Sequence, residues 1–323
     1  MTIGTQSGGV AVDIRSAATP TAVWAEPEIE SASGSAPDTV QTNLGTRWIS
    51  GTAMTILGAL LVGFVFSVSL VGAVQHARAQ TVAYATLRNT LANATTPVGQ
   101  VDSNGVLNHL GVPVSLLQIP AIHLNEVVLE GTTPSVLMNG AGHRRDSVMP
   151  GQAGISVIFG RRAAFGGPFA GIASLKVGTE FSVTTGQGVM NFKVVNVRRA
   201  GAKVTLPLAG QARLVLVTAE GPAYVPSGLL YVDADLVGKV AATPAPLFGS
   251  NSLPAAEQAL GTDPGAWVAI VLWGQLLLAA ALAFVWAQRR WGKWQTWIVG
   301  VPLLLALSLL VATQAAQLLP NLL

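Results

Sequence analysis

The residues able to do chemistry are few, and one type is missing. The chain has no cysteine, which excludes disulfides, a thiolate nucleophile and Cys-ligated metal. Its four histidines are His76, His109, His123 and His143, and none pairs with another at a metal-ligand spacing such as i, i+4 beside an acid. No metal or cofactor is expected. Ser147, His143 and Asp146 stand close together and offer the residue types of a hydroxyl nucleophile, a base and an orienting acid. Closeness in sequence does not give the geometry that such a set needs. Two basic clusters remain, Arg144-Arg145 beside Asp146, and Arg161-Arg162. Guanidinium forks suit carboxylate and phosphate oxygens, so these arginines are either a solvated face or a groove that grips an anion.

The elements that would position these residues are set by hydropathy. Half of the 323 residues are hydrophobic, only 10% are charged, and the mean hydropathy is +0.52. An average soluble domain is roughly 25% charged. The net charge of +3 is small and its basic residues are scattered, so no nucleic-acid partner is expected. Three apolar stretches, 48–74, 266–287 and 297–316, meet the roughly 20 residues a spanning helix needs. The first is too long for a signal-peptide core of roughly 7–15 residues, and it follows a long polar tail. It reads as an anchor in the lipid bilayer.

Orientation follows from basic residues in short loops. Arg289, Arg290 and Lys293 mark loop 288–296 as cytoplasmic. The 1–47 tail is then cytoplasmic, and everything between the first and second spans lies outside. Trp48, Trp286, Trp291, Trp294 and Trp297 all fall at the cytoplasmic boundary in this arrangement, where indole rings favour the headgroup layer. Gly51, Thr55, Ala59, Gly63 and Ser67 recur every four residues along the first span, a small-residue stripe suited to close helix packing.

Residues 1–47, rich in Ser, Thr, Ala, Gly and Pro, are expected to be disordered. Residues 75–112 read as a helical stalk and linker, residues 239–265 as a Pro/Gly/Ala linker, and 317–323 as a short C-terminus. Between them, 113–238 changes pattern. Short β-branched runs separated by Gly and Pro predict strands at Leu117 to Ile119, Glu126 to Leu129, Gly154 to Phe159, Glu180 to Thr184, Met190 to Val197 and Leu214 to Thr218. Thr184 to Gly188 reads as a hairpin loop. The set predicts a compact antiparallel barrel.

The order of phrases in this region resembles the sortase family, particularly its actinobacterial-type members. Ile119-Pro120-Ala121-Ile122 is similar to the opening Ile-Pro strand, and Leu129-Glu130-Gly131 to the Glu-Gly step that follows. Gly140-Ala141-Gly142-His143, and then Ser147-Val148-Met149-Pro150-Gly151, resemble the Gly-Pro-Gly-His and Pro-Gly phrases. Gly160-Arg161-Arg162 with Phe165-Gly166-Gly167-Pro168-Phe169 resembles the segment around the catalytic histidine. Leu175-Lys176-Val177-Gly178 resembles the next turn, and Leu214-Val215-Leu216-Val217-Thr218 the strand ending in Thr-Cys.

The resemblance implies a mainly β protein: an eight-stranded sortase-like barrel outside the membrane, with three transmembrane α-helices. It also implies cysteine transpeptidation, with a histidine as acid/base and an arginine on the oxyanion. Here the sequence departs from the family. Ala219 stands at the cysteine position and Arg161 at the histidine position, and no arginine lies between Arg213 and Arg289, where the family's arginine strand falls near Gly228 to Val232. A methyl cannot form an acyl-enzyme, and a guanidinium cannot accept a proton. The chain is therefore expected not to be an enzyme. His143 matches a non-catalytic histidine of the family and reads as a hydrogen-bonded structural residue. Arg161, Arg162, His143 and Thr218 remain as candidate binding residues. The expected role is a binding or assembly subunit of a cell-envelope membrane complex, with membrane-protein partners. The alternatives are a receptor for sorting-signal-like peptides and an envelope enzyme with a new site on the barrel.

Overall fold

The computed structural model describes residues 54, 58, 60–102, 104–204, 206–249, 252–290 and 293–323. The tail 1–47, expected to be disordered, and the stripe residues Gly51, Thr55 and Ala59 lie outside the described residues.

Eight strands close into a barrel. They are β1 (Pro113–Ile119), β2 (Leu124–Glu130), β3 (Ala141–His143), β4 (Gly154–Phe159), β5 (Glu180–Thr185), β6 (Gly188–Arg199), β7 (Ala212–Glu220) and β8 (Gly228–Val237). Their order around the barrel is β1-β2-β3-β4-β7-β8-β6-β5, with β5 returning to β1. The pairing departs from the antiparallel expectation in two places, because β2/β3 and β4/β7 run parallel. Parallel neighbours need a crossover, and β4 reaches β7 through the whole β5-β6 hairpin.

Alternation along the strands sends one set of apolar side chains inward. Leu117, Ile119, Val128, Ile158, Phe192, Leu214, Leu216 and Val232 are among the buried residues of the main core, and the rings of Phe181 and Phe192 stack there at 5.7 Å. The opposite face of β4, β7 and β8 is apolar too. Phe159, Val215, Val217 and Ala219 form a second cluster outside the barrel, with Leu137, Leu322, Ala259 and Leu260 laid over it. A strand buried on both faces reads as a continuous apolar run, as β7 does in Leu214 to Val217.

Three helices are long and apolar enough to cross a membrane: Leu60–Ala92, Ala266–Arg290 and Trp294–Ala316. The first contains a π-helical turn at Ser67–Val71 and continues as α1 (Gly72–Ala92) alongside the barrel. Its contact is polar as well as apolar. Gln80 accepts a bond from the Val127 amide (2.7 Å) and donates to the carbonyls of Val127 (3.1 Å) and Asn139 (2.9 Å), while His76 Nε2 meets Glu126 Oε1 at 2.7 Å. α2 (Pro134–Leu137) is one short turn between β2 and β3, capped by Thr133. α3 (Ala266–Arg290) and α4 (Lys293–Ala316) pack as a hairpin, with Phe284 edge-on to Trp297. Gly300 permits that approach, since a Cβ there would stand 2.0 Å from the Phe284 ring.

The segment 239–265, expected to be a linker, is fastened along the barrel. Ala241 bonds to the Gly151 carbonyl, Thr243 Oγ1 accepts from Ala153, and Gln100 accepts from Leu247 and Phe248.

Candidate functional site

The parallel register of β4 and β7 sets Phe159 beside Val217, so the residues that follow run side by side at one end of the barrel. Gly160 N donates to the Val217 carbonyl (3.0 Å), and Thr218 Oγ1 donates to the Gly160 carbonyl (2.8 Å). Arg161 and Ala219 come next, and β8 places Leu229 opposite Ala219. The structure thus brings Arg161, Arg162, Thr218 and Ala219 together. His143 is elsewhere, on β3.

Arg161, Thr218 and Ala219 are buried, and Arg162 is half-buried. Ala219 is buried in the outer apolar cluster under Leu322. Thr218 is buried, and its hydroxyl proton is committed to Gly160.

Arg161 corrects the sequence expectation of a solvated or anion-gripping arginine. It is wholly inaccessible. Its Nε donates to the Leu137 carbonyl (3.1 Å) and its Nη2 to the Pro134 carbonyl (3.0 Å), so it braces the end of α2. The guanidinium lies 5.1 Å from the centroid of the Phe165 ring, a cation–π contact. Among the described residues it meets no carboxylate at ion-pair distance, and its Nη1 has no hydrogen-bond partner. Burial alone pushes its pKa down to about 9, so it remains charged at neutral pH. Arg162 is half-buried, and its Nη1 reaches the Ala219 carbonyl at 3.4 Å.

The loop that carries Arg161 is occupied with the apolar helices. The amide of Phe165 donates to the Val68 carbonyl in the π turn (3.2 Å), and Phe165, Ala164, Met138, Val68 and Ala316 pack as one cluster. A Cβ on Gly72 would stand 2.9 Å from the Phe165 ring. Phe165 has a positive φ of 51°, as a loop reversing tightly against a helix requires.

The second constellation has the outline of a triad. His143 Nδ1 meets Glu130 Oε2 at 3.0 Å, and Ser147 Oγ lies 3.2 Å from His143 Nε2. The acid is Glu130, supplied by β2; Asp146 instead pairs with Arg144 at 2.8 Å. The hydrogen bonds exclude a base role for His143. Its Nε2 also faces the Val148 carbonyl at 3.0 Å, and a carbonyl only accepts, so Nε2 carries a proton. Ser147 donates to the Arg144 carbonyl (2.7 Å) and accepts from the Val157 amide (3.1 Å). Burial opposes a charge on His143. The Glu130 carboxylate, by charge and by hydrogen bond, with the Val148 carbonyl and Asp146 adding to it, outweighs that and holds the imidazole above its ordinary 6.5. The pair is a buried imidazolium–carboxylate brace.

A cavity of about 190 Å³ lies over the outer face of β4, β7, β8 and β6, between Tyr231, Val215 and Ala259. Its cations are paired: Arg198 with Asp233 (2.8 and 3.2 Å), Arg213 with Asp235 (2.5 and 2.9 Å), and Arg144 with Asp146. These cross-strand pairs escaped the sequence reading. The signal was present as alternation in Asp233-Ala234-Asp235, with Arg213 directly opposite Asp235 and Arg198 diagonal to Asp233, but it is usable only once the register is known. No group of His, Cys, Asp and Glu able to hold a metal ion occurs among the described residues.

The family pattern that matches is the sortase domain, over residues 117–237. Residues 117–237, which hold nearly all of the barrel, are a sortase-type domain. Among solved structures it is similar to the Sortase D5 transpeptidase of Clostridium perfringens (22% identity, 50% of this chain and 99% of that chain, TM-score 0.41). It is also similar to sortase C-1 from Actinomyces oris (25%, 39% and 75%, 0.34) and to a lid mutant of sortase A from Corynebacterium diphtheriae (20%, 49% and 95%, 0.38). No curated protein matches the chain. The positions that the order of motifs matches to the family's histidine and cysteine, Arg161 and Ala219, lie where β4, β7 and β8 meet, with Leu229 opposite Ala219.

Proposed function

We propose that this sortase-family protein is a non-catalytic binding or assembly subunit of a cell-envelope membrane complex. Its barrel faces outward, loop 288–296 lies in the cytoplasm, and the first span enters from the cytoplasmic side. The observation that carries the reading is the packing at Ala219. The methyl sits under Leu322, beside a buried guanidinium that braces α2. A side chain with no nucleophilic atom, next to a cation that cannot take a proton, supplies neither half of an acyl-transfer step.

The same loop supports the assembly role. In place of a base, it offers Phe165 to the π turn of the first apolar helix and to Ala316 near the end of the third. A barrel wedged against two spans is a fixed platform. It is a different arrangement from a domain on a flexible stalk. The outward faces of the spans are apolar and free to meet other helices. Among the described residues no atom stands within 4 Å of where a Cβ on Gly63 would be, so the stripe is uncovered at Gly63, while Ser67 is partly buried.

Purification of the whole chain in mild detergent tests this. The expected result is a stable complex with other membrane proteins, weakened when Gly63 and Ser67 are changed to leucine. Recovery only as a monomer would contradict it. The runner-up reading is an envelope enzyme using Ser147. It is favoured by the 3.2 Å Ser147–His143 distance and opposed by the protonated Nε2.

A further inference from the structure

Residues 319–323 do not trail away from α4. Asn321 and Leu322 are wholly inaccessible and Leu323 nearly so. The carbonyls of Leu322 and Leu323 accept from the amides of Arg162 (3.1 Å) and Ala164 (3.3 Å), which pairs this segment with the backbone of the loop that carries Arg161. Asn321 is the cross-tie. Its amide donates to the Gly261 carbonyl (2.9 Å), and its Nδ2 donates to the carbonyls of Thr132 (2.8 Å) and Gln258 (2.9 Å). The Leu322 side chain sits in the outer cluster with Ala219, Val217, Val215 and Leu137.

We infer that residues 319–323 are a strap that closes in cis the end of the barrel carrying Arg161 and Ala219 and that its position is set by the third apolar helix, so that displacing α4 opens the groove over Ala219. Two features make the closed state releasable. Asn321 Oδ1, within the strap, is buried without a hydrogen-bond partner, and water would satisfy it on opening. The strap is also joined to both helices of the hairpin: it leaves α4 directly, and Asp263, just ahead of α3, donates to the carbonyl of Gln317, between α4 and the strap (3.0 Å). A shift of the hairpin therefore pulls on the strap and on the Gln258–Gly261 turn together. The inference holds whether the barrel is catalytic or not.

The absence of cysteine makes the test direct. Ala219→Cys introduces a single thiol under the strap, and a polar maleimide reads its access in the whole chain in nanodiscs. With the strap intact, Ala219→Cys should label at least about tenfold more slowly than Val225→Cys, which is exposed. Adding Asn321→Ala, which removes the cross-tie, should raise the Ala219→Cys rate at least about tenfold. Adding Gly300→Leu, which forces α3 and α4 apart at Phe284 far from the barrel, should do the same. Phe192→Cys, inside the barrel, should stay protected in both backgrounds, which separates opening from unfolding. Rapid labelling of Ala219→Cys with the strap intact overturns the inference. An unchanged rate with Asn321→Ala, or Phe192→Cys labelling in step, also overturns it. Acceleration by Asn321→Ala but not by Gly300→Leu overturns the link to the helix.

Discussion

Two of the cations buried in this barrel, His143 and Arg161, are held in opposite ways. His143 sits between Glu130 and the Val148 carbonyl, with a full counter-charge at 3.0 Å. Arg161 sits between two backbone carbonyls and an aromatic ring, with no carboxylate in reach among the described residues. The first arrangement joins β2 to β3 and to the turn after it, and it is a structural brace in its own right. The second stabilises its charge only in part, which is why its pKa falls to about 9. The unpaired cation is held by backbone and ring packing, and the paired one by a counter-charge within the frame of the barrel.

The largest effect should come from breaking the paired site. Glu130→Leu strands a buried imidazolium and should cost about 3–5 kcal/mol of stability. The double change with His143→Leu should recover most of that loss in thermal or denaturant unfolding. Next is the cover over the unpaired site. Leu322→Ala removes a buried side chain from the outer cluster and should cost about 2–4 kcal/mol if the cluster cannot collapse, less if it can. Smaller still is the pH dependence of the brace. The folded pKa of His143 lies above its unfolded value of about 6.5. The stabilisation is therefore complete below about pH 6.5 and is lost as pH rises through the raised folded value. The slope is at most about 1.4 kcal/mol per pH unit for one proton, and His143→Leu should abolish it. The smallest effect is expected where intuition would place the largest. Arg161→Met exchanges an unpaired buried cation for an apolar chain of similar length, and should change stability by no more than about 1 kcal/mol or increase it. A loss of several kcal/mol there would mean that the two cations are alike after all.

The strands were legible where the code is local. Gly154 to Phe159 and Leu214 to Thr218 are β-branched runs between turn residues, and they became β4 and the heart of β7. β3 went unread as a strand because three residues, one of them Gly142, carry no periodicity. β8 was reached only through the family resemblance, since Asp233 and Asp235 interrupt its apolar character; the structure supplies their partners, Arg198 and Arg213, from neighbouring strands. The parallel pairs were invisible because nothing local specifies a partner many residues away. At the candidate site, the replaced positions Arg161 and Ala219 were readable from the order of motifs. Their burial was not. Arg161-Arg162 looks like a solvated dipeptide, and only the fold shows that one points in and the other runs along β7. The strap was hidden for a related reason: 317–323 reads as a short C-terminus, and the backbone bonds to Arg162 and Ala164 are long-range.

The proposed function requires that the end of the barrel carrying Arg161 and Ala219 be packing and not chemistry. The most direct measurement is turnover of a set of sorting-signal-like peptides, with and without an amine acceptor, by the whole chain in detergent. Wild type should give no cleavage or transfer above the protein-free rate, and neither should Ala219→Cys alone, because the neighbouring Arg161 still cannot act as a base. Turnover by the wild-type chain that disappears in Ser147→Ala would contradict the account and move the chemistry to the Glu130–His143–Ser147 set.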